Sequence, residues 1–161
     1  MHGFIILRRM PATVKVLLLS WEDARAWAAP LRYSVFVQEQ GVPTELEWDE
    51  QDARSTHAIV LEGESCLGTG RLLPAGADDC AGIGRMAVLP DRRRKGVGSL
   101  LMRSLLTEAR RLDVREIILH AQISAIGFYD RFGFVKTGPV FQEAGIDHVE
   151  MRLALKSTLK V

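Results

Sequence analysis

Residues 84–98, GRMAVLPDRRRKGVG, change character twice in a short span. An apolar run ends at Pro90, four consecutive cations follow from Arg92 to Lys95, and Gly96 and Gly98 then open a new pattern. In that pattern Val97, Leu101, Leu105, Ala109 and Leu112 recur at helical spacing, with Arg103, Glu108 and Arg110 elsewhere around the helix. The stretch reads strand, basic loop, helix, which restricts the chain to folds that join sheet and helix.

The flanking sequence fills in that fold. VKVLLLS (14–20) reads as a strand, and Ser20 with Asp23 three residues on marks a helix start. The helical stretch extends to Gln40, broken or restarted at Pro30, with Gly41 as its C-cap. An acidic loop follows, carrying Glu45, Glu47, Asp49, Glu50 and Asp52. THAIVLEG, SCLGTGRLLP and AGIGRMAVLP form an antiparallel meander separated by short polar or glycine-rich turns. REIILHAQ (115–122) is a buried strand and SAIGFYDRF a short helix ending near Gly133. FVKTG and DHVEMRLAL supply the last two strands. The order predicts an α+β fold, sandwich-like (α/β/α), with about four helices on a mixed, mostly antiparallel sheet of about seven strands.

At 161 residues the chain matches one domain, able to bury roughly 70% of its unfolded surface. We expect the domain over residues 14–157, after a poorly ordered extension at 1–13 in which Met10 could be the true start. A net charge of +1 argues against a whole-molecule affinity for polyanions. No interleaved aromatics or recognition helix flank the basic run, so no nucleic-acid partner is expected. Cys66 and Cys80 make neither a disulfide framework nor a zinc motif, and no metal is expected. The opening GFIIL is too short to span a membrane, and its cations follow it. The expectation is a cytoplasmic protein with no membrane partner.

The glycine loop has the physics of a phosphate cradle. A helix N-terminus carries unpaired N–H groups and the positive end of the dipole. Glycine lets an anion approach the backbone and accepts positive φ, and arginines add charge-assisted hydrogen bonds. Two competing motifs fail: GxxxxGK[ST] is absent, and GVGSLL lacks the third glycine of a dinucleotide fingerprint. A solvated turn remains the plain alternative for a bare four-cation run.

Arg93-Arg94-Lys95-Gly96-Val97-Gly98 resembles the [QR]-x-x-G-x-[GA] loop of the GNAT N-acyltransferases. Downstream, Ala125, Phe128-Tyr129 and Arg131-Phe132-Gly133-Phe134 resemble that family's second motif, with Gln122 where many members carry asparagine. Arg32–Gln40, the acidic loop with Pro43, the HAQ of 120–122 and Glu143–His148 are similar to the ElaA-like branch. The resemblance covers roughly residues 14 to 155. It implies acetyl-CoA as co-substrate and a primary amine, of a small molecule or a peptide, as acceptor. It further implies that the backbone of Met86, Ala87 and Val88 pairs with the pantetheine arm, and that an N–H near Val88 polarises the thioester carbonyl. The amides of Arg94, Lys95, Gly96, Val97, Gly98 and Ser99 would hold the pyrophosphate. Arg93 or Arg92 would reach the outer phosphates, and Gln122, Phe128, Tyr129 and Arg131 would border the cofactor.

Direct attack on a thioester needs an acid and a base. The leaving thiol has a pKa near ~8.5 judged by cysteine, and a tyrosine near ~10 can protonate the thiolate. Tyr129 matches the family's tyrosine for that role; as a plain core aromatic it would pack beside Phe128 and Phe132. A lysine-like ammonium is neutral in only about one molecule in a few thousand at neutral pH, so a base or a desolvated site is required. The candidates are Glu47, Asp49 and His57, followed by His120 and His148, and no single one emerges from the sequence. The acidic loop could equally recognise a cationic acceptor. A non-catalytic CoA-binding module of the same fold is the alternative to an enzyme, and pairing of the final strands leaves a homodimer open.

Overall fold

The computed structural model describes residues 13–156. The extension expected at 1–13 lies almost wholly outside the described residues, as does residue 157 of the expected domain.

Strand β1 (Val14–Leu19) leads into helix α1 (Trp21–Arg32), whose start is set by Ser20: its Oγ accepts the Asp23 N–H. Ala24, Ala28 and Leu31 share the buried face of α1. The expected break at Pro30 does not occur. The proline forfeits one helical bond, but the Tyr33 N–H reaches the carbonyls of both Ala29 and Pro30, and the chain continues as a π-helix over Tyr33–Glu39. Gly41, at φ +73°, ends it as expected. The acidic loop holds two short helical pieces, α2 (Thr44–Glu47) and a 3₁₀ turn over Glu50–Arg54.

Strands β2 (Thr56–Glu62), β3 (Ser65–Leu72) and β4 (Cys80–Val88) form the expected meander, with β1 antiparallel to β2 on the outer edge. Helix α3 (Val97–Arg111) crosses back, and β5 (Glu116–Gln122) joins β4 in parallel. After α4 (Ile126–Asp130) come β6 (Val135–Lys136), β7 (Phe141–Glu143) and β8 (Ile146–Ala154). The sheet order is β1-β2-β3-β4-β5-β8-β6, with β7 paired to β8. The strand beyond the expected seven is β7. Ala144 (φ +51°) and Gly145 (φ +76°) close a two-residue hairpin of the I′ kind between it and β8.

The helices lie on opposite faces of the sheet. Leu101, Leu105 and Ala109 of α3 pack on Ala58, Val60, Ile117 and Met151, while Ala24 and Ala28 of α1 pack on Ile59 and Leu61. This explains why β2 is apolar at successive positions rather than alternating. In β5, Ile117, Leu119 and Ala121 join the α3 side. Ile118, His120 and Gln122 therefore face the other way, where they line a cleft. No described helix is long and apolar enough to cross a membrane.

Leu101 is fully buried where α3 meets the sheet. Leu101→Ala should lower unfolding stability by about 2–5 kcal/mol, read as a lower urea midpoint at unchanged slope.

Candidate active site

The site begins where two strands part. β4 pairs with β5 only over Cys80–Gly82 against Glu116–Ile118. Beyond Gly82 the strands splay, leaving the edge of β4 from Ile83 to Val88 without a strand partner on that side. The cause lies in the β3–β4 register, which slips so that Arg85 and Met86 together stand opposite Gly70. Arg85 absorbs the bulge at φ +51°. Gly70 gives the Met86 side chain its room, since a Cβ there would run into the Met86 sulfur and force it to move. The splay opens a cleft of about 810 Å³. At the far end of the edge the Leu89 N–H bonds to the Leu67 carbonyl, so strand alternation turns the Val88 N–H away from β3.

The free edge runs straight into the glycine loop. Arg94 (φ +61°) and Gly96 (φ +86°) are both left-handed, an arrangement that turns successive N–H groups toward one side. Gly96 is the N-cap of α3 and brings no capping side chain, so the first-turn N–H groups of Val97, Gly98 and Ser99 are left for another acceptor. A Cβ at Gly96 would meet nothing within 4 Å, which leaves the concavity open. Gly98 serves packing instead, since a Cβ there would sit 3.3 Å from the Phe128 ring.

Not all loop cations are free. Arg93 donates Nε to the Val88 carbonyl (3.0 Å) and both Nη groups to Glu39 (2.7 Å each), tying the loop to the π-helix. Its hydrogen bonds to Glu39 hold that carboxyl below the ordinary glutamate range. Arg92 pairs with Glu62 at 3.1 Å. Arg94 and Lys95 have no ion-pair partner among the described residues. The guanidinium groups of Arg92 and Arg93, expected to reach phosphate, are paired with Glu62 and Glu39 in this structure, so Arg94 and Lys95 are the loop cations left without an ion-pair partner among the described residues.

One wall of the cleft is an ion-pair cluster. Arg32 binds Asp52 through two nitrogens (2.8 and 3.1 Å), Glu47 through Nε, and the Glu47 carbonyl at 3.2 Å. Arg71 binds Asp49 through two bonds of 2.7 Å and Asp52 at 2.8 Å. Arg85 donates to the carbonyls of Leu46 and Glu47 and pairs with Asp49 at 3.2 Å. The Arg32 guanidinium also lies 5.2 Å from the Trp21 ring and 5.9 Å from that of Trp48.

This geometry removes the three leading base candidates. Glu47 is buried and held by Arg32. Burial pushes the Asp49 carboxyl up, but Arg71 and Arg85 outweigh it and hold it below the ordinary aspartate range. His57 is buried against Trp21, donates Nε2 to the Asp52 carbonyl at 2.9 Å, and burial pushes its pKa down. It is a structural histidine that lies outside the cleft lining. Of the acidic loop's carboxylates, Glu47, Asp49 and Asp52 are paired with arginines, while Glu45 and Glu50 are exposed and have no ion-pair partner among the described residues.

The opposite wall is the open face of β5, β7 and β8, with His120, Gln122, Glu143 and His148. Gln122 donates its amide to Gln40 of the chain following the π-helix (2.9 Å), bridging the two walls. Tyr129 lies at the cleft floor, its ring edge-on to Phe128 (5.1 Å) and Phe134 (6.0 Å). Its hydroxyl has no hydrogen-bond partner among the described residues, and burial pushes its pKa up to about 12. Arg131 is exposed and turns back onto the Gly127 carbonyl at 3.3 Å, so its side chain does not border the cleft.

Residues 23–155 match the family model described as an acetyltransferase (GNAT) domain. The chain belongs to the GNAT acetyltransferase family. It is 35% identical over 139 residues to "Uncharacterized N-acetyltransferase YjcF" of Bacillus subtilis (strain 168), covering 86% of this chain and 98% of that protein. Its fold is similar to that of an acyl-CoA N-acyltransferase from Pseudomonas aeruginosa (TM-score 0.79, 29% identity, 88% of this chain and 100% of that one). It is also similar to Escherichia coli ElaA (TM-score 0.78, 26% identity, 87% and 99%). The resemblance drawn from the loop and the HAQ segment therefore holds, and the GNAT fold carries with it an acyl-CoA thioester as co-substrate.

Sequence reasoning passed over Arg85, Arg71 and Glu143 as site residues. Arg71 left a signal: a cation between Gly70 and Leu72, on a strand buried on both faces, requires a buried acidic partner. Two outcomes test the cluster. Arg32→Ala leaves Glu47 buried without its ion-pair partner and Asp52 with Arg71 alone, and should cost about 3–5 kcal/mol in urea unfolding. Asp49, held low, adds stability above its ordinary value that is lost as pH falls through the depressed one. The stability gap between wild type and Asp49→Asn should therefore be full at neutral pH and close below about pH 4.

Proposed function

We propose that this GNAT protein transfers the acetyl group of acetyl-CoA directly to a primary amine, of a small molecule or a peptide, with Tyr129 as general acid. The observation that carries this reading is the free edge of β4, which ends at an uncapped helix N-terminus. Unpaired backbone groups of a strand seek a partner, and an extended amide-bearing arm can supply one by strand addition. The pantetheine arm of acyl-CoA fits that demand along Met86, Ala87 and Val88. The amides of Arg94 to Ser99 would then meet the pyrophosphate, with Arg94 and Lys95 adding charge. Phe128 supports this from below by packing on Gly98. Gln122 lines the cleft with its amide donated to Gln40, and the Arg131 side chain turns back onto the Gly127 carbonyl.

The Val88 N–H, turned away from β3, would stabilise the oxyanion as the amine adds to the thioester carbonyl. As the C–S bond breaks, the sulfur leaves with the electron pair and takes a proton from the Tyr129 hydroxyl. A phenol near 12 is a weak donor to a thiolate of ordinary basicity, and a thiolate that leaves into a low-dielectric site gains basicity, which favours the transfer. The raised value also keeps Tyr129 fully protonated at neutral pH.

Titration calorimetry should show acetyl-CoA binding that Gly96→Glu abolishes, through bulk, negative charge and a strained positive φ. Gly96→Asn, which tolerates that φ, should bind more tightly than the glutamate variant. Equal, unweakened binding in both would remove the loop from the site. A thiol-release screen of acetyl-CoA against aminoglycosides, polyamines, amino acids and peptides identifies the acceptor. With the best acceptor, Tyr129→Phe should lower kcat about 10²-fold and leave the KM for acetyl-CoA nearly unchanged. An unaltered kcat would take Tyr129 out of the mechanism.

A further inference from the structure

With Glu47, Asp49 and His57 occupied elsewhere, the transfer still needs a group to take the proton from the incoming ammonium. The open wall of the cleft supplies one. His120 stands on the face of β5 that points away from α3, with 45% of its side chain exposed. Its Nδ1 lies 3.2 Å from Oε1 of Glu143 on β7. An ionised carboxylate only accepts, so Nδ1 carries the hydrogen and Nε2 presents its lone pair. Nε2 has no partner among the described residues. The Phe141 ring meets the imidazole edge-on at 5.0 Å and 81°, so the ring is held on one side by an aromatic and on another by a carboxylate.

The neighbours sharpen the choice. His148 is more deeply set, with 9% side-chain exposure; its Nδ1 donates to the Ile146 carbonyl at 2.7 Å and its Nε2 lies 3.8 Å from the same Glu143. That Nε2 is beyond hydrogen-bond reach of the carboxylate, and what sets His148 apart from the half-exposed His120 is its burial, which leaves it no open path to hand a proton to water. Glu150 stands opposite His120 on β8 but is tied to Arg152 (2.9 Å) and Thr137 (2.8 Å). Glu143 is the acid facing His120 that has no arginine partner. On the strand itself, Gln122 is spent on Gln40.

We propose that His120 is the general base of the transfer and that Glu143 is the positioning residue that fixes its tautomer. The inference rests on the transfer reading above. The acceptor enters as an ammonium and gives one proton to Nε2 of His120, which releases it to water through its exposed edge. The neutral nitrogen forms the C–N bond with its lone pair. As the C–S bond breaks, the thiolate takes the Tyr129 proton, and the second proton lost by the nitrogen restores Tyr129. The balance is one amide, one thiol and one proton released.

The test uses acetyl-CoA with two small nucleophiles, methylamine, an ammonium at neutral pH, and hydroxylamine, which is largely neutral there. His120→Ala and His120→Gln should lower kcat/KM for methylamine about 10²-fold while changing it little for hydroxylamine. Acetyl-CoA binding by calorimetry should match wild type in both, showing that the fold is intact. Glu143→Ala should lower kcat/KM for methylamine, and Glu143→Gln, whose amide oxygen can still accept the Nδ1 hydrogen, should restore most of it. Equal losses with both nucleophiles, or no loss with methylamine, would overturn the assignment of His120. Thiol release by neither nucleophile in wild type would overturn the transfer reading, and the base with it; a wild type active with both keeps the two failures apart.

Discussion

Everything at the site follows from the parting of β4 and β5 beyond Gly82. A parallel pair that continued would satisfy its own backbone and leave nowhere for a ligand. The interruption is enforced one strand away, where two residues of β4 crowd opposite Gly70 and Arg85 takes up the slack at φ +51°. A backbone held in that region by a non-glycine residue costs of order 1–3 kcal/mol and persists only where the surroundings over-determine it. Here the surroundings are explicit. The Arg85 guanidinium is anchored to the carbonyls of Leu46 and Glu47 and to Asp49, so the bulge and the acidic wall stabilise each other.

That wall is the second dependency. Arg32, Arg71 and Arg85 face Glu47, Asp49 and Asp52, three cations against three anions, so the wall carries no net charge. Buried ion pairs of this kind add little net stability over an apolar replacement, but they penalise any arrangement that leaves one member alone. The cluster therefore acts as a positional lock. It joins α1, the short helical pieces at 44–54, β3 and β4, which are distant in sequence, into one rigid side of the cleft. Its strictness shows in Arg71, whose Nε is buried with no partner while its two Nη groups serve Asp49, Asp52 and Gln51.

Local rules made the meander, α3, the glycine loop and the short helix carrying Tyr129 readable in the sequence, because each is written in adjacent residues. The Ser20 cap and the Gly41 stop were equally visible. What escaped was pairing at a distance. A cluster of acids reads as a substrate-facing surface until Arg32, 15 residues before Glu47, and Arg71, 22 after Asp49, are seen to neutralise it. Arg93 looked like a phosphate ligand because nothing local reveals Glu39, 54 residues earlier. Pro30 misled in another way: its cost is real, but the following turns widen and recover bonds without breaking the axis. The β7 hairpin hid behind Ala144-Gly145, since alanine rarely takes positive φ.

The two walls also divide the proton chemistry by dielectric. Tyr129 lies at the floor, where burial raises its pKa and, in the proposed transfer, would hold the proton until a thiolate develops. A base in the same dry place would fail, since desolvation disfavours an imidazolium, as His57 illustrates. A base must hand its proton to water once per turnover, so it belongs at the rim, supported by a carboxylate that stabilises its charged form. The half-exposed face of β5 beside Glu143 meets both conditions, and the helix-covered half of the sheet meets neither. The uncovered face of β5 and β8 is then the part of the fold where acceptor chemistry has room to occur, with α1 and its π-helical extension closing the other side.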